Sequence, residues 1–134
     1  MARKMDYSGK YKLSRFEYGY AKWFALKYPE WLEQYNSLKD SVKAINYDQA
    51  GYGKGVISDK TQDYATKRAE IRDKMLKIEH CAFDAGGEIG EYILKSVIYE
   101  DQTFEDMKAL GMPCERTMFY ERRRKFYYLL SQVI

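Results

Sequence analysis

The chain has 134 residues, 46% of them hydrophobic and 32% charged, and a formal net charge of +3. This length suffices to bury the core of one compact domain, and the composition is typical of a soluble globular protein. No run of about 18 apolar residues is present, so we expect neither a membrane span nor a membrane partner.

The residues that most often bind metals or act as nucleophiles are few. One histidine, His80, and two cysteines, Cys81 and Cys114, lack the paired spacing of a structural zinc site, and we expect no metal and no cofactor. The G-x-S-x-G pattern of a nucleophilic serine is absent, so we also expect no enzymatic activity. The N-terminus lacks the apolar stretch of a secretory signal, which favours a cytoplasmic location.

Positive charge is concentrated towards the two ends of the chain. Residues 1–28 carry seven Lys or Arg against two acids, and residues 103–134 carry six against four, whereas the stretch between them is net acidic. Within residues 114–125, five bases face two acids. This distribution favours contact with a polyanion at selected surfaces.

The N-terminal region is predicted to form two helices. Ser14 and Glu17 have the spacing of a capping box, in which each side chain binds the other residue's backbone N–H. Pro29 disfavours helix at the residue before it and suits the first turn of a new helix. We therefore expect helices over about 15–27 and about 29–45.

A glycine-rich loop and a long helix follow. Gly51, Gly53 and Gly55 lie in a stretch without helical periodicity, residues 46–58, which also lacks the spacing of a phosphate-binding loop. From Ser58 or Thr61 onward, apolar residues recur at helical intervals for about 22 residues. We expect this stripe to form core or a helix–helix contact; it consists of Tyr64, Arg68, Ile71, Met75, Ile78 and Ala82.

The last third of the chain has the order of a helix-turn-helix. Gly86 and Gly87 are expected to end the long helix, and a short helix follows. Thr103 is a suitable N-cap for the next helix, which Gly111 ends, and a longer helix is expected from near Cys114 to about residue 132. The short helix before Thr103 should bury one face, which carries Ile89, Ile93 and Val97.

A helical wheel of the final helix separates an apolar sector from a basic one. The inward sector is expected to hold Phe119, Phe126, Leu129, Leu130 and Val133, with Arg122 at its boundary. The outward sector is expected to hold Arg116, Thr117, Tyr120, Arg123 and Arg124, with Glu121 and Lys125 at its edge. Such side chains suit double-stranded DNA, because guanidinium groups bind guanine edges or phosphates and hydroxyls bind phosphates. We expect Arg116, Thr117, Tyr120 and Arg123 to contact bases, and Arg124, Lys125 and the basic N-terminus to contact phosphates.

The C-terminal segment TFEDMKALGMPCERTMFYERRRKFYYLL resembles the end of phage and prophage late-operon transcriptional regulators of the RinA/ArpU type, whose helix-turn-helix is similar to the promoter-reading region of sigma factors. The segment YDQAGYGKGVISDKTQDYATKRAEI resembles the loop and charged helix upstream in such regulators. The similarity covers roughly residues 46–134. It implies a DNA-binding regulator of phage packaging, lysis or structural genes, located in the cytoplasm of a bacterial host, with RNA polymerase as a further partner.

The sequence thus predicts an all-α protein with a helical N-terminal part joined to a C-terminal helix-turn-helix. We divide it into an N-terminal hairpin with the glycine-rich loop, residues 1–57, and the long helix with the DNA-binding unit, residues 58–134, within one folding unit. Two other functions remain open: a phage DNA-packaging component such as a terminase small subunit, and a helical adaptor that binds an acidic protein. A homo-oligomer is also expected, because one recognition helix contacts few base pairs and the N-terminal half is rich in large apolar side chains: Phe16, Tyr20, Trp23, Phe24, Trp31, Leu32 and Tyr35.

Overall fold

The computed structural model describes the backbone of residues 11–50 and 59–134, and their side chains except at 40–50 and 59–61. Every regular element in these ranges is helical, which confirms the all-α fold. The α-helices are α1 (Arg15–Leu26), α2 (Tyr28–Ala50), α3 (Asp59–Gly86), α4 (Gly90–Ile98), α5 (Phe104–Ala109) and α6 (Arg116–Val133), with a 3-10 turn at Gly87–Ile89. The three glycines of the predicted loop lie outside the described residues. Helix α2 continues to Ala50, beyond its expected end at about residue 45.

The chain divides into two compact units. The first combines the chain up to Tyr28 with Lys77–Ile134, and the second is Pro29–Leu76. The two boundaries lie at the start of α2 and within α3. In the first unit α1 packs against α4 and α6, and α5 packs against α4 and α6.

Local signals in the sequence set the limits of α1. The backbone N–H of Glu17 donates to Ser14 Oγ at 3.1 Å, and the N–H of Ser14 donates to the Glu17 carboxylate at 3.2 Å. The predicted capping box is therefore present. The helix ends at Leu26, and Pro29 lies in the first turn of α2. N–H groups in a first turn have no partner within the helix, so a proline there costs no hydrogen bond.

The second unit pairs α2 with α3 through polar and aromatic contacts. Arg68 donates a hydrogen bond to the Tyr35 hydroxyl at 2.9 Å, and its guanidinium carbon lies 4.5 Å from the centre of that ring. Lys74 lies over the ring of Trp31 at 5.4 Å. The predicted stripe on α3 is buried at Met75, and partly exposed at Tyr64, Arg68 and Ile71.

The core of the first unit collects apolar side chains from every helix in it. The end of α3 and the start of α4 pack unusually closely, because a Cβ atom placed on Gly90 would lie 2.9 Å from the Cα of Phe83. Only glycine fits this approach without moving the backbone. The side chains with 1% exposure or less include Ile78, Ile89, Ile93, Val97, Met107, Met112, Phe119, Phe126 and Leu130.

Truncating either fully buried phenylalanine of α6 should destabilise the protein. Phe119 and Phe126 are 0% exposed, so Phe119→Ala and Phe126→Ala each remove a ring from a closed core. We expect each to lower the free energy of unfolding by about 3–5 kcal/mol, measured by urea denaturation. Phe16→Ala is the matched control, because Phe16 is 86% exposed and its loss should change stability little. Equal effects of the three substitutions would show that α6 is oriented differently.

Candidate nucleic-acid interface

Helix α5 begins at a second capping box. The N–H and hydroxyl of Thr103 donate to the Asp106 carboxylate at 2.8 and 2.9 Å, and the N–H of Asp106 donates to the Thr103 hydroxyl at 3.3 Å. The bonds from the Thr103 backbone and side chain lower the pKa of Asp106. Thr103 is therefore the N-cap that the sequence predicts, with Asp106 as its partner.

The turn after α5 is closed by glycine in the geometry known as the Schellman motif. The N–H of Met112 donates to the carbonyl of Met107 at 3.2 Å, and the N–H of Gly111 donates to that of Lys108 at 3.0 Å. Gly111 has φ +100°, a conformation that side chains disfavour. Met107 and Met112, the two positions whose apolar contact usually accompanies this motif, are both 1% exposed.

Further contacts join α5 to the start of α6. Lys108 donates to the carbonyl of Cys114 at 3.2 Å, and the N–H of Phe104 donates to the hydroxyl of Tyr120 at 3.3 Å. The ring of Phe104 lies 6.0 Å from that of Phe119. Six residues, 110–115, separate the two helices, because α5 ends at Ala109 and α6 begins at Arg116, two residues after the expected start near Cys114. These contacts nevertheless hold α5 and α6 as one unit.

The inward side of α6 is centred differently from the predicted wheel. Phe119, Phe126 and Leu130 are fully buried as expected, and Tyr127 is buried beside them at 3% exposure. Val133, expected inside, is 47% exposed. Burial raises the pKa of the Tyr127 hydroxyl. The Tyr127 ring packs edge-on against the ring of Tyr18, with 5.1 Å between the ring centres.

This orientation turns Arg123 towards the interior. Its guanidinium donates to the carbonyl of Gln102 at 3.2 Å and to that of Ser96 at 3.4 Å, and lies 5.9 Å from the centre of the Tyr127 ring. Its Nε atom is buried without a hydrogen-bond partner among the described residues. The expected outward orientation of Arg123 is therefore wrong. The side chain instead ties α6 to the end of α4 and to the α4–α5 connection.

Two more of the predicted residues are already engaged within the protein. Arg116 is 59% exposed and forms an ion pair with Glu105 of α5, while its guanidinium lies 5.3 Å from the centre of the Phe104 ring. Tyr120 is partly exposed, and its hydroxyl accepts the bond from Phe104 described above. Both side chains reach the surface, but their polar groups also help to hold α5 against α6.

The remaining predicted residues form the outer side of α6. Thr117 is exposed in the first turn, and Arg124 and Lys125 are partly exposed two turns later. Arg122 lies at the apolar boundary as expected and donates to the carbonyl of Ala85 at 3.3 Å. We call Arg116, Thr117, Arg124 and Lys125 the outer basic face of α6. The exposed acid next to this face on the same helix is Glu121.

The sequence pattern contained the signal that identifies Arg123 as an inward residue. It follows Phe119 by four positions and precedes Phe126 by three, so it lies on the same helical stripe as both buried rings. The Arg116–Glu105 pair had no such signal, because it joins two helices across a turn whose geometry the sequence does not specify.

The other chemically notable side chains do not form a second site. Cys81 and Cys114 are buried, and burial raises the pKa of both thiols, that of Cys81 to about 11. Thiols with raised pKa values are poor nucleophiles at neutral pH. Within the described ranges, no group of His, Cys, Asp and Glu is arranged to hold a metal ion, and no helix is long and apolar enough to cross a bilayer.

Loss of Arg123 should affect folding, whereas loss of its neighbour should not. Arg123→Ala removes two hydrogen bonds to buried or partly buried carbonyls, and we expect a loss of about 1–3 kcal/mol of stability. Arg124→Ala is the matched control and should stay within about 0.5 kcal/mol of the parent. Thermal and urea denaturation of both variants measure this difference. Equal stability of the two variants would contradict the structural role of Arg123.

The α5–α6 turn should tolerate a side chain poorly. Gly111→Ala places a Cβ on a residue with φ +100°, and we expect a destabilisation of about 1–2 kcal/mol. Gly19→Ala is the opposite control, because Gly19 lies inside α1 with open space around its Cα, and alanine should stabilise that helix by about 0.5–1 kcal/mol. Urea denaturation curves would show the two signs, and the same sign for both would refute the assignment of the turn.

Comparison with known proteins gives no significant match to a family model, to a curated protein or to a solved structure. Any function must therefore be argued from the residues and contacts of this chain.

Proposed function

We propose that the protein binds double-stranded DNA through the outer basic face of α6 and acts as a transcriptional regulator. The observation that supports this best is the arrangement of α5, the Gly111 turn and α6. Buried residues fix α6 on one side, and its other side presents Thr117, Arg124 and Lys125, together with Arg116. A helix held in this way can enter the major groove, which is about 12 Å wide.

The division of roles among the residues follows from their positions. Arg116 and Thr117 lie in the first turn of α6, the part of a recognition helix that reaches base edges. Arg124 and Lys125 lie further along the helix and suit phosphate contacts. Arg123 has no place in this interface, because its guanidinium bonds to carbonyls inside the first unit.

Glu105 adds a second element to the proposed interface. Its carboxylate pairs with Arg116 and orients the guanidinium over the Phe104 ring. DNA binding would require Arg116 to exchange this carboxylate for a phosphate or a guanine edge. The pair is well exposed, so it is worth little in water, and the exchange costs correspondingly little.

The biological role is proposed from the resemblance to RinA/ArpU-type regulators. The regulated genes would then be late phage genes for packaging, lysis or structural proteins, and RNA polymerase would be a partner on the promoter. The two alternatives make different predictions: a packaging component would bind packaging sites, and an adaptor would bind no DNA.

Removing the two phosphate-binding candidates should weaken DNA binding without unfolding the protein. We expect Arg124→Ala with Lys125→Ala to lower the affinity for a labelled duplex of about 30 base pairs, and to reduce the slope of log K against log salt by about one unit for each lost phosphate contact. Fluorescence anisotropy over a salt series measures both quantities, with a random-sequence duplex first and a selected sequence afterwards.

Two control variants make this test specific. Lys95→Ala removes one positive charge from α4, where Lys95 forms an ion pair with Glu91 at 3.0 Å. It should leave the slope of log K against log salt unchanged. Glu105→Gln should act in the opposite direction and strengthen binding, because it frees Arg116 and removes a negative charge. If the protein with both Arg124→Ala and Lys125→Ala binds duplex DNA as tightly as the parent, the proposed interface is refuted.

A further inference from the structure

Helix α1 carries an aromatic surface that the described part of the chain leaves uncovered. Phe16 is 86% exposed, and Tyr20 and Trp23 are each 53% exposed. The buried side of the same helix consists of Ala21, Phe24 and Ala25. We call Phe16, Gly19, Tyr20 and Trp23 the aromatic face of α1. Large apolar side chains grouped in this way on a surface mark interaction sites more often than singly exposed ones do.

The spacing of these four residues matches a defined unit of helix packing. They occupy positions i, i+3, i+4 and i+7, which are the four positions that surround one inserted side chain when two helices pack knobs into holes. Gly19 has no side chain, and a Cβ built on it meets no atom within 4 Å. The aromatic face therefore forms a shallow depression over Gly19, bordered by the rings of Phe16, Tyr20 and Trp23.

The rings on this face are already ordered. Tyr20 and Trp23 stack with an interplanar angle of 17° and a centroid distance of 6.1 Å, and Lys27 lies 5.9 Å from the centre of the Trp23 ring. These contacts occupy ring surface that stacked bases of a single-stranded nucleic acid would need. The arrangement favours a partner that places an aliphatic side chain over Gly19, beside the stacked rings.

The charges around the aromatic face indicate the sign of the partner. Arg15 and Lys22 are exposed on α1, and Lys27 follows at its end. Glu17 is the one acid within α1, and its carboxylate accepts the bond from the Ser14 N–H. Two copies of α1 packed face to face would bring these bases together, so the charges disfavour a second copy of this chain as the occupant.

We propose that the aromatic face of α1 binds an amphipathic helix of another protein, with a leucine-type side chain inserted over Gly19 and acidic residues flanking its apolar stripe. The apolar knob fits the depression, and the acids complement Arg15 and Lys22. This surface is on a different helix from the proposed DNA interface, and the inference does not depend on DNA binding.

The test uses the full-length protein and designed helical peptides of about 20 residues. One peptide carries a leucine stripe with flanking glutamates, and a second carries the same stripe with flanking lysines. Fluorescence anisotropy of the labelled peptides measures binding. We expect the glutamate peptide to bind, the lysine peptide to bind at least about tenfold more weakly, and Lys22→Glu to reverse this order.

Substitution of Gly19 distinguishes specific packing over this residue from nonspecific hydrophobic binding. Gly19→Leu fills the depression and should weaken binding of the glutamate peptide at least about tenfold, as should Trp23→Ala. Gly19→Leu should remain folded, because the site is open. Leu110→Ala is the matched control, since Leu110 is 57% exposed just after the end of α5, and it should bind the peptide like the parent.

Several outcomes would overturn the proposal. The first is failure of the glutamate peptide to bind, and the second is binding of this peptide by Gly19→Leu as tightly as by the parent. The third is tighter binding of an oligodeoxythymidine or of anionic vesicles than of the peptide, through Trp23. Sedimentation that shows self-association of the parent but not of Gly19→Leu would assign the face to a second copy instead. None of these results bears on duplex binding by α6, so the two proposals fail separately.

Discussion

The first compact unit depends on burial of the inner side of α6. Phe119, Phe126 and Leu130 are fully buried, and α6 packs against α1, α4 and α5. Full burial of a phenylalanine side chain contributes roughly 1.5–3 kcal/mol, so these rings outweigh any exposed ion pair on the same helix. They fix the rotation of α6 about its axis, and this rotation decides which basic residues face solvent.

The position of Arg123 follows from this constraint. Because it shares a stripe with Phe119 and Phe126, it is carried inward with them, and the cost of removing a guanidinium from water has to be offset by hydrogen bonds. The carbonyls of Ser96 and Gln102 accept those bonds. Ser96 lies in the last turn of α4, and Gln102 lies in the connection to α5. One charged side chain therefore stabilises the connection that positions α5 against α6.

Most of the helical limits could be predicted from local sequence, because they depend on interactions over three or four residues. The Ser14–Glu17 capping box, Thr103 as an N-cap and Gly111 as a helix end each act within one turn of helix, and the structure confirms them. The rotation of α6 was harder to predict. Leu129 and Val133 belong to the apolar pattern, but near the C-terminus the core no longer covers Val133. Including them moved the predicted inward direction away from Arg123.

The candidate site illustrates a further limit of sequence patterns. A run of three arginines looks uniform, and all three are partly exposed, yet their contacts differ. Arg122 donates to the carbonyl of Ala85, Arg123 donates to the carbonyls of Gln102 and Ser96, and Arg124 lies on the outer basic face. Successive residues on a helix point about 100° apart, so three successive arginines span about 200° and cannot all lie on one side of the helix. The charge of such a run predicts a basic region, and only the packing of the helix identifies the residues available to a ligand.

The same packing also determines the surface of α1. The small residues Ala21 and Ala25 and the ring of Phe24 are buried on the inner side of α1, in the unit where α1 contacts α6 and α4. With that side fixed, Phe16 and Trp23 point outward from the opposite side of the helix, and Tyr20 stays 53% exposed at its edge, next to Phe24. A helix needed only to cover α6 would be expected to carry polar residues there. The aromatic face therefore adds nothing to the described core, and the proposed partner helix would give it a physical rationale.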